Sequence, residues 1–462
     1  MRYISTRGQS PAISFADMLL AGLAPDGGLY LPETWPSFTP AEIAAFKGKP
    51  YTDVAEAVLG KLIGDSFTPE ELRADIAAAY ASFDFPAIAP LSEIGRGRYL
   101  MELYHGPTLA FKDVALQILG RLFARALKAR GGRATVLAAT SGDTGSAAIA
   151  ALGGLENIEV IVLHPKGRVS EVQRRQMTTA PFANVHNIAI EGTFDDGQAI
   201  VKALFAETDF AEAVNLTAVN SINFARIAAQ AVYYFTAAAE LGVAPVFVVP
   251  TGNFGDVFAG EAAMRMGLAV EKLVVATNSN DIMARALNEG VYASGKASPT
   301  LSPSMDIQVA SNFERALFEA SGRDSAFVRD AMARFVKDSR LELPPAVLAD
   351  LRTRYEAKRT DDAATLATIA RFERETGRLI DPHTAVALAA AYDANFGEKV
   401  PVVVLSTAHP AKFPDAVNHA TNRIPELPPR LTAALQGEEK CHVMRAEKAL
   451  VRGFIEAILR PS

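Results

Sequence analysis

Cysteine is nearly absent from this chain of 462 residues; Cys441 is the only one. No disulfide can close within the chain and no cluster of thiolates can hold a metal, a usage that suits a reducing compartment. The seven histidines show no His-x-x-x-His spacing, so a structural zinc site is not expected. A long basic run is missing too, and the net charge is −6, which leaves nucleic acid out of the expected partners. Long hydrophobic runs are scarce. Residues 18–24 are too few to span a bilayer, and the aliphatic stretch 228–239 is short and interrupted by Gln230, Tyr233 and Tyr234. That stretch reads as a core helix rather than a membrane segment. No apolar region follows the first charges at the N-terminus, so no targeting segment and a cytoplasmic location are expected.

What is present is an ordinary globular mix, 49% hydrophobic and 21% charged, in a chain long enough for two or three packed units. The first ninety or so residues read as a small, mainly helical unit. Thr39-Pro40-Ala41-Glu42 and Thr68-Pro69-Glu70-Glu71 each combine a cap, proline at the first helical position and a capping-box glutamate. Residues 85–90 look like a linker. Beyond it, strands alternate with helices. Residues 134–139 predict a buried strand, followed by a glycine loop, an alanine-rich helix and a second strand at 159–163. The pattern recurs at 245–249 and 272–276, and a further strand is expected at 400–405. Residues 323–395 read as mostly helical, with Asp381-Pro382 starting the last helix there. The fold class is therefore α/β, with open, mostly parallel sheets whose strand ends collect ligands.

One lysine stands out. In the run from Lys112 to Lys128, Asp113, Gln117, Arg121, Arg125 and Lys128 share one helical face, and Lys112 falls on the other, above Leu116, Leu119 and Phe123. A buried ammonium is costly unless paired, neutralised or used covalently. Desolvation lowers a lysine's pKa and makes its amine a nucleophile, as carbonyl-trapping lysines require. Alone, such a lysine reads more readily as one that snorkels at a helix start.

Three loops sit where a parallel sheet would present them. Thr140-Ser141-Gly142-Asp143-Thr144-Gly145-Ser146 and Pro250-Thr251-Gly252-Asn253-Phe254-Gly255-Asp256 each join a strand to a helix. Glycines let the backbone approach a ligand there, and a helix start offers free N–H groups to an anion. The second loop is neither a Walker A loop nor a dinucleotide fingerprint. It has no lysine or arginine, so a phosphate would rest on backbone N–H groups and the helix dipole. The third loop is Ser406-Thr407-Ala408-His409-Pro410. A fourth element, Asn220-Ser221-Ile222-Asn223-Phe224-Ala225-Arg226, could surround a second phosphate, with Arg226 one to two turns into a helix. Each of these, taken singly, also reads as a simple helix cap.

Taken in order, the segments resemble the threonine synthases, pyridoxal-phosphate enzymes of fold type II. The resemblance rests on Gly22-Leu23-Ala24-Pro25-Asp26-Gly27-Gly28-Leu29-Tyr30-Leu31-Pro32, on His105-Gly106-Pro107-Thr108 with Ala110-Phe111-Lys112-Asp113, on Ser141-Gly142-Asp143-Thr144-Gly145, on Gly252-Asn253-Phe254-Gly255-Asp256 and on Thr407-Ala408-His409-Pro410-Ala411-Lys412-Phe413. It runs nearly end to end and looks like the longer branch, with an added N-terminal unit. It implies a tryptophan synthase β-like core and three parts: residues 1–90, 91–322 and 323–462.

The resemblance also implies roles. Lys112 would carry pyridoxal 5′-phosphate covalently and later move protons. Gly252, Asn253, Phe254, Gly255 and Asp256 would hold the cofactor phosphate, and Thr407 would meet the pyridine nitrogen. Asp143 would face the phenolic oxygen, where many fold-type II relatives carry asparagine. Ser141 and Thr144 would meet the substrate's carboxylate or phosphate region, and Asn220, Ser221 and Arg226 its phosphate. The implied reaction, the last step of threonine biosynthesis, converts O-phospho-L-homoserine and water into L-threonine and phosphate by γ-elimination and β-addition of water. A monomer or homodimer is implied, with no nucleic-acid or membrane partner. Three readings compete with it. One is a serine/threonine dehydratase or cysteine synthase-like enzyme, neither of which needs a second phosphate site. Another is a catalytically silent cofactor-binding relative. The third is a nucleotide-binding P-loop protein, which lacks its Walker lysine here.

Overall fold

The computed structural model describes residues 1–140, 142–218, 221–394, 396–397 and 399–459. They form two compact units. One comprises residues 1–19, 23–115 and 221–426, and the other residues 20–22, 116–220 and 427–462.

The first unit is built on a six-stranded sheet in the order Tyr355–Arg359, Lys272–Thr277, Val246–Pro250, Val402–Ser406, Arg98–Glu102, Leu91–Gly95. All neighbours are parallel except the last pair, which is an antiparallel hairpin. The central strands are runs of valine buried on both faces, as a helix-covered parallel sheet demands. Leu388 and Val386 of the helix Pro382–Asp393 pack against Val248, Val274 and Val404 on one face. The expected strands at 245–249, 272–276 and 400–405 are present within two residues of their predicted limits.

Two strands of this sheet escape the sequence pattern. Tyr355–Arg359 buries only Tyr355 and Ala357 and exposes charged residues between them. That period of two is too short to read inside a helical stretch. The hairpin 91–102 begins directly after the expected linker and carries charge on both strands. The N-terminal region is mainly helical, as expected, but it also holds a three-stranded antiparallel sheet of Ile13–Ser14, Arg2–Ser5 and Tyr30–Pro32. Both capping boxes form, with Thr39 and Thr68 accepting from Glu42 and Glu71. Asp381 caps its helix through the N–H groups of His383 and Thr384.

The second unit holds a wholly parallel five-stranded sheet in the order His442–Arg445, Val185–Glu191, Ile158–Pro165, Ala134–Ala139, Leu216–Thr217. Val451 and Ile455 of the last helix join Leu137, Ile161 and Ile188 in its core. The strand–loop–helix order predicted around residue 140 is present, the helix being Asp143–Leu152. Among the described residues no helix is long and apolar enough to cross a membrane.

Candidate active site

Lys112 opens the helix Lys112–Ala129 and is only 9% exposed. The expected apolar surroundings are there: Leu116, Leu119 and Phe123 are all buried. The expected polar face is not. Asp113 and Gln117 are buried, Arg121 and Arg125 are half-buried, and only Lys128 is exposed. The reason is that the first turn of this helix is wrapped by its own approach segment. The Asp113 carboxylate accepts from the Thr108 N–H at 2.7 Å and the Thr108 hydroxyl at 2.8 Å. Gly106 permits this closeness, since a Cβ there would lie 2.4 Å from Asp113 Cβ. Burial pushes the Asp113 carboxyl up to about 6, against the Thr108 donors and the Lys412 ammonium, which lower it.

A second segment closes over this one. The Phe111 N–H donates to the Thr407 carbonyl at 2.8 Å, Ala110 and Ala408 form an antiparallel bridge, and the His409 N–H donates to Leu109 O. Lys412 is fully buried and donates through Nζ to Thr108 O at 2.8 Å. Thr407, itself buried, is thus tied to the residue next to Lys112. Its neighbour Ser406 ends a chain of hydroxyl, carboxylate and imidazole groups. Ser406 Oγ lies 3.0 Å from Thr384 Oγ1, Thr384 donates to Asp381, Asp381 sits 2.8 Å from His383 Nδ1, and His383 Nε2 accepts from the Ser304 N–H. Since Nε2 accepts, the imidazole proton is on Nδ1 and donates to Asp381.

The loop 252–256 lies in the same unit. It follows Val246–Pro250 and opens the helix Gly255–Arg265, with Phe254 in the left-handed region at φ 63°. A bulky residue there is a strained placement of the kind that persists at functional sites. The first N–H groups of this helix have no acceptor within it. Asn312 supports the loop by donating its Nδ2 and its main-chain N–H to Asn253 O, at 3.0 and 3.1 Å, and its Nδ2 also reaches Ser221 O at 3.1 Å. Arg315 donates to Asn312 Oδ1, to Ile222 O at 2.5 Å and to Tyr30 O at 3.0 Å. One guanidinium therefore ties the N-terminal strand to both candidate phosphate loops. Burial lowers its pKa to about 9, so it remains charged at neutral pH.

Asp256 is buried, and its carboxyl accepts from the hydroxyls of Tyr233 and Tyr234. Burial raises it to about 6, against those hydroxyls and the nearby Lys112 ammonium, which lower it. Lys112 and the loop are thus brought within electrostatic reach of each other. Arg226 stands two turns before Tyr233 on the same helix, Phe224–Leu241. It is the third residue of that helix, not one to two turns in, because Asn223 is the cap, accepting from the Ala225 N–H. Arg226 is 4% exposed, and its Nη1 has no hydrogen-bond partner. Burial lowers its pKa to about 10, opposed by Tyr233.

In the second unit, Asp143 begins the helix Asp143–Leu152 and its Oδ1 accepts from Gln173 Nε2 at 2.9 Å. Thr144 follows it, half-buried. The Thr140 hydroxyl accepts from the N–H groups of Gly142 and Gly145. Gly142 has φ 146°, and a Cβ there would meet the Gln173 carboxamide at 2.5 Å. Ser141 and Asn220 lie outside the described residues. Several residues that hold these loops were not singled out in the sequence: Thr140, Gln173, Asn312, Arg315 and Lys412. Thr140 and Lys412 stood within the motif segments, but neither was given a role there. Tyr233 and Tyr234 counted there only as polar breaks in an apolar run.

A buried amine within electrostatic reach of a helix-start loop, with an arginine on the adjoining helix that keeps one buried nitrogen unpartnered, fits a cofactor that is both aldehyde and phosphate. The comparisons agree. Residues 2–80 match the family model for the threonine synthase N terminus, residues 86–346 that for pyridoxal-phosphate dependent enzymes, and residues 384–455 that for the threonine synthase C-terminal part. The chain is 48% identical to a threonine synthase of Pseudomonas aeruginosa over 98% of both chains. The chain belongs to the threonine synthase family. Its activity is that of the family, a pyridoxal-phosphate-dependent lyase. Among solved structures, a PLP-bound threonine synthase from Brucella melitensis superposes with a TM-score of 0.98 at 48% identity over 100% of both chains. Threonine synthase from yeast does so at 0.94, with 36% identity over 98% of each. The expected α/β class of fold type II, with an N-terminal unit, is thereby established.

Proposed function

We propose that this family member converts O-phospho-L-homoserine and water into L-threonine and inorganic phosphate. The observation that carries the substrate assignment is Arg226. A buried guanidinium nitrogen without a partner is costly, and an anion arriving with the substrate removes that cost. A dehydratase or cysteine synthase substrate brings no such phosphate.

When bound, pyridoxal phosphate supplies an electron sink for the negative charge left at the substrate's α-carbon. The chain's own residues do the rest. Lys112 would carry the cofactor and then move protons at the substrate's α-carbon. The N–H groups at Gly252, Asn253, Phe254, Gly255 and Asp256 hold the cofactor phosphate at the positive end of a helix. The neutral Thr407 hydroxyl meets the pyridine nitrogen without forcing a proton onto it. Asp143, its carboxylate steadied by Gln173, would face the phenolic oxygen. Ser141 and Thr144 orient the substrate's carboxylate end. Asn220, Ser221 and Arg226 hold its phosphate until it leaves. We place the protein in the cytoplasm as a monomer or homodimer, and retain residues 1–90, 91–322 and 323–462 as its three parts.

Incubating the pure protein with O-phospho-L-homoserine tests the proposal. Threonine and inorganic phosphate in equal amounts are expected. Ammonia release from threonine, with no phosphate release from the phosphorylated substrate, would contradict it.

A further inference from the structure

Asp256 is a carboxyl group placed in the turn that is to receive a phosphate. It is the second residue of the helix Gly255–Arg265, and its side chain is buried. If it were ionised there, its charge would sit beside a dianion in a site with little water, and like charges so placed push a proton onto one of them. The hydrogen bonds around it divide unevenly. Oδ1 accepts from both the Tyr233 and Tyr234 hydroxyls, and Tyr234 also donates to the Asp256 carbonyl at 2.9 Å. Oδ2 is fully buried and has no hydrogen-bond partner. That is the pattern of a carboxylic acid: one carbonyl-like oxygen accepting twice, and one hydroxyl oxygen whose proton has nowhere to go within the chain. A buried polar atom left this way in a native fold needs an explanation, and a ligand arriving at this loop supplies one.

We infer that Asp256 meets the cofactor phosphate as a neutral acid, donating the Oδ2 proton to a phosphate oxygen, while Tyr233 and Tyr234 occupy Oδ1 and keep that proton on Oδ2. The inference rests on the assignment of loop 252–256 to the cofactor phosphate and gives that loop a side-chain donor in place of the lysine or arginine it lacks. Binding then takes up one proton. The other groups acting on Asp256 can be separated from it. Burial holds the hydroxyls of Tyr233 and Tyr234 well above their usual range, so they do not titrate near neutrality. The cation acting on Asp256 is Lys112, the amine that the cofactor engages.

The test uses the full chain stripped of cofactor and titrated with pyridoxine 5′-phosphate, which has the phosphate but no aldehyde and so cannot join Lys112. For the natural chain the dissociation constant should rise about tenfold per pH unit between about pH 7 and pH 9, the slope of one proton taken up. Pyridoxine without its phosphate should show no such slope in the same chain. Asp256→Asn, which offers an N–H donor in place of the acid proton, should bind with a flat profile and stay within about threefold of the natural chain near pH 6. Lys112 is common to both proteins, so the difference in slope isolates Asp256. A flat profile for the natural chain, or the same slope in Asp256→Asn, would overturn the inference and leave the loop's role intact. No binding of pyridoxine 5′-phosphate at any pH would overturn both.

Discussion

Two loops of this protein follow the same recipe, a parallel strand, a glycine-rich turn and a helix start, yet they end in opposite conditions. In the loop after Ala134–Ala139 the Thr140 hydroxyl takes two main-chain N–H groups and Gln173 holds Asp143, so the described polar atoms are steadied from within. In the loop after Val246–Pro250, Asp256 keeps one buried oxygen with no partner, and on the adjoining helix Arg226 keeps one buried nitrogen likewise. Motif alone does not separate the two cases. The state of the buried polar atoms does, because an unmet hydrogen bond inside a protein costs about 1–3 kcal/mol, a cost that an arriving ligand removes. The first loop reaches its proposed ligands already braced from within, whereas the second keeps unmet groups of the kind a proposed phosphate site would satisfy.

The largest expected effect strikes the side of the second loop. Lys112→Ala should abolish turnover while leaving the fold intact, measured by threonine formation and by circular dichroism. Normal turnover would remove the comparison's basis. Arg226→Met comes next. It keeps the side chain's bulk but removes the charge offered to the substrate phosphate, and a loss of about 2–4 kcal/mol, roughly 30- to 1000-fold in kcat/KM, is expected. Because the unpartnered charge is costly in the free chain, the same variant should not lower the melting temperature. A lower melting temperature with unchanged kinetics would make Arg226 a structural residue.

Much of this arrangement was legible beforehand. Lys112, the three strand-end loops and Arg226 are short-range signals, each visible in a stretch of a dozen residues. What could not be read was the set of side chains that hold them. Arg315 joins Tyr30, Ile222 and Asn312 across nearly three hundred residues of chain, and no periodicity encodes such a contact. The misplaced polar face of the Lys112 helix has the same origin. Asp113 shares a helical face with Lys128, but Thr108, itself bonded to Lys412, covers it from outside the helix. The edge strand Tyr355–Arg359 was missed because only two of its side chains point inward.

These supports give the middle and smaller effects. Arg315→Leu leaves two carbonyl groups and the Asn312 amide oxygen without their donor, and should cost about 3 kcal/mol of stability in urea unfolding. Thr140→Val, on the braced loop, removes one acceptor shared by two N–H groups and should cost about 1–2 kcal/mol. Equal effects from the two would blur the distinction between a clamp and a cap. The smallest effect belongs to Glu102. Burial alone would raise its carboxyl, but hydrogen bonds from His105 and Ser92 and the Arg378 guanidinium outweigh it and bring the carboxyl down to about 2. A carboxyl depressed in the folded state stabilises above its unfolded pKa of about 4.3, and that contribution is lost as pH falls toward 2. Glu102→Gln should flatten the acid side of a stability profile between about pH 4 and pH 2 and lower neutral stability modestly, by the contribution that the natural chain loses on acidification.

The central claim is that one sequestered amine, Lys112, holds the cofactor covalently. Borohydride reduction of the cofactor-loaded protein, followed by proteolysis and mass spectrometry, tests it directly. The account predicts a phosphopyridoxyl group on the peptide containing Phe111-Lys112-Asp113 and on no other. The absence of that group, or its presence on a different lysine such as Lys412, would contradict it.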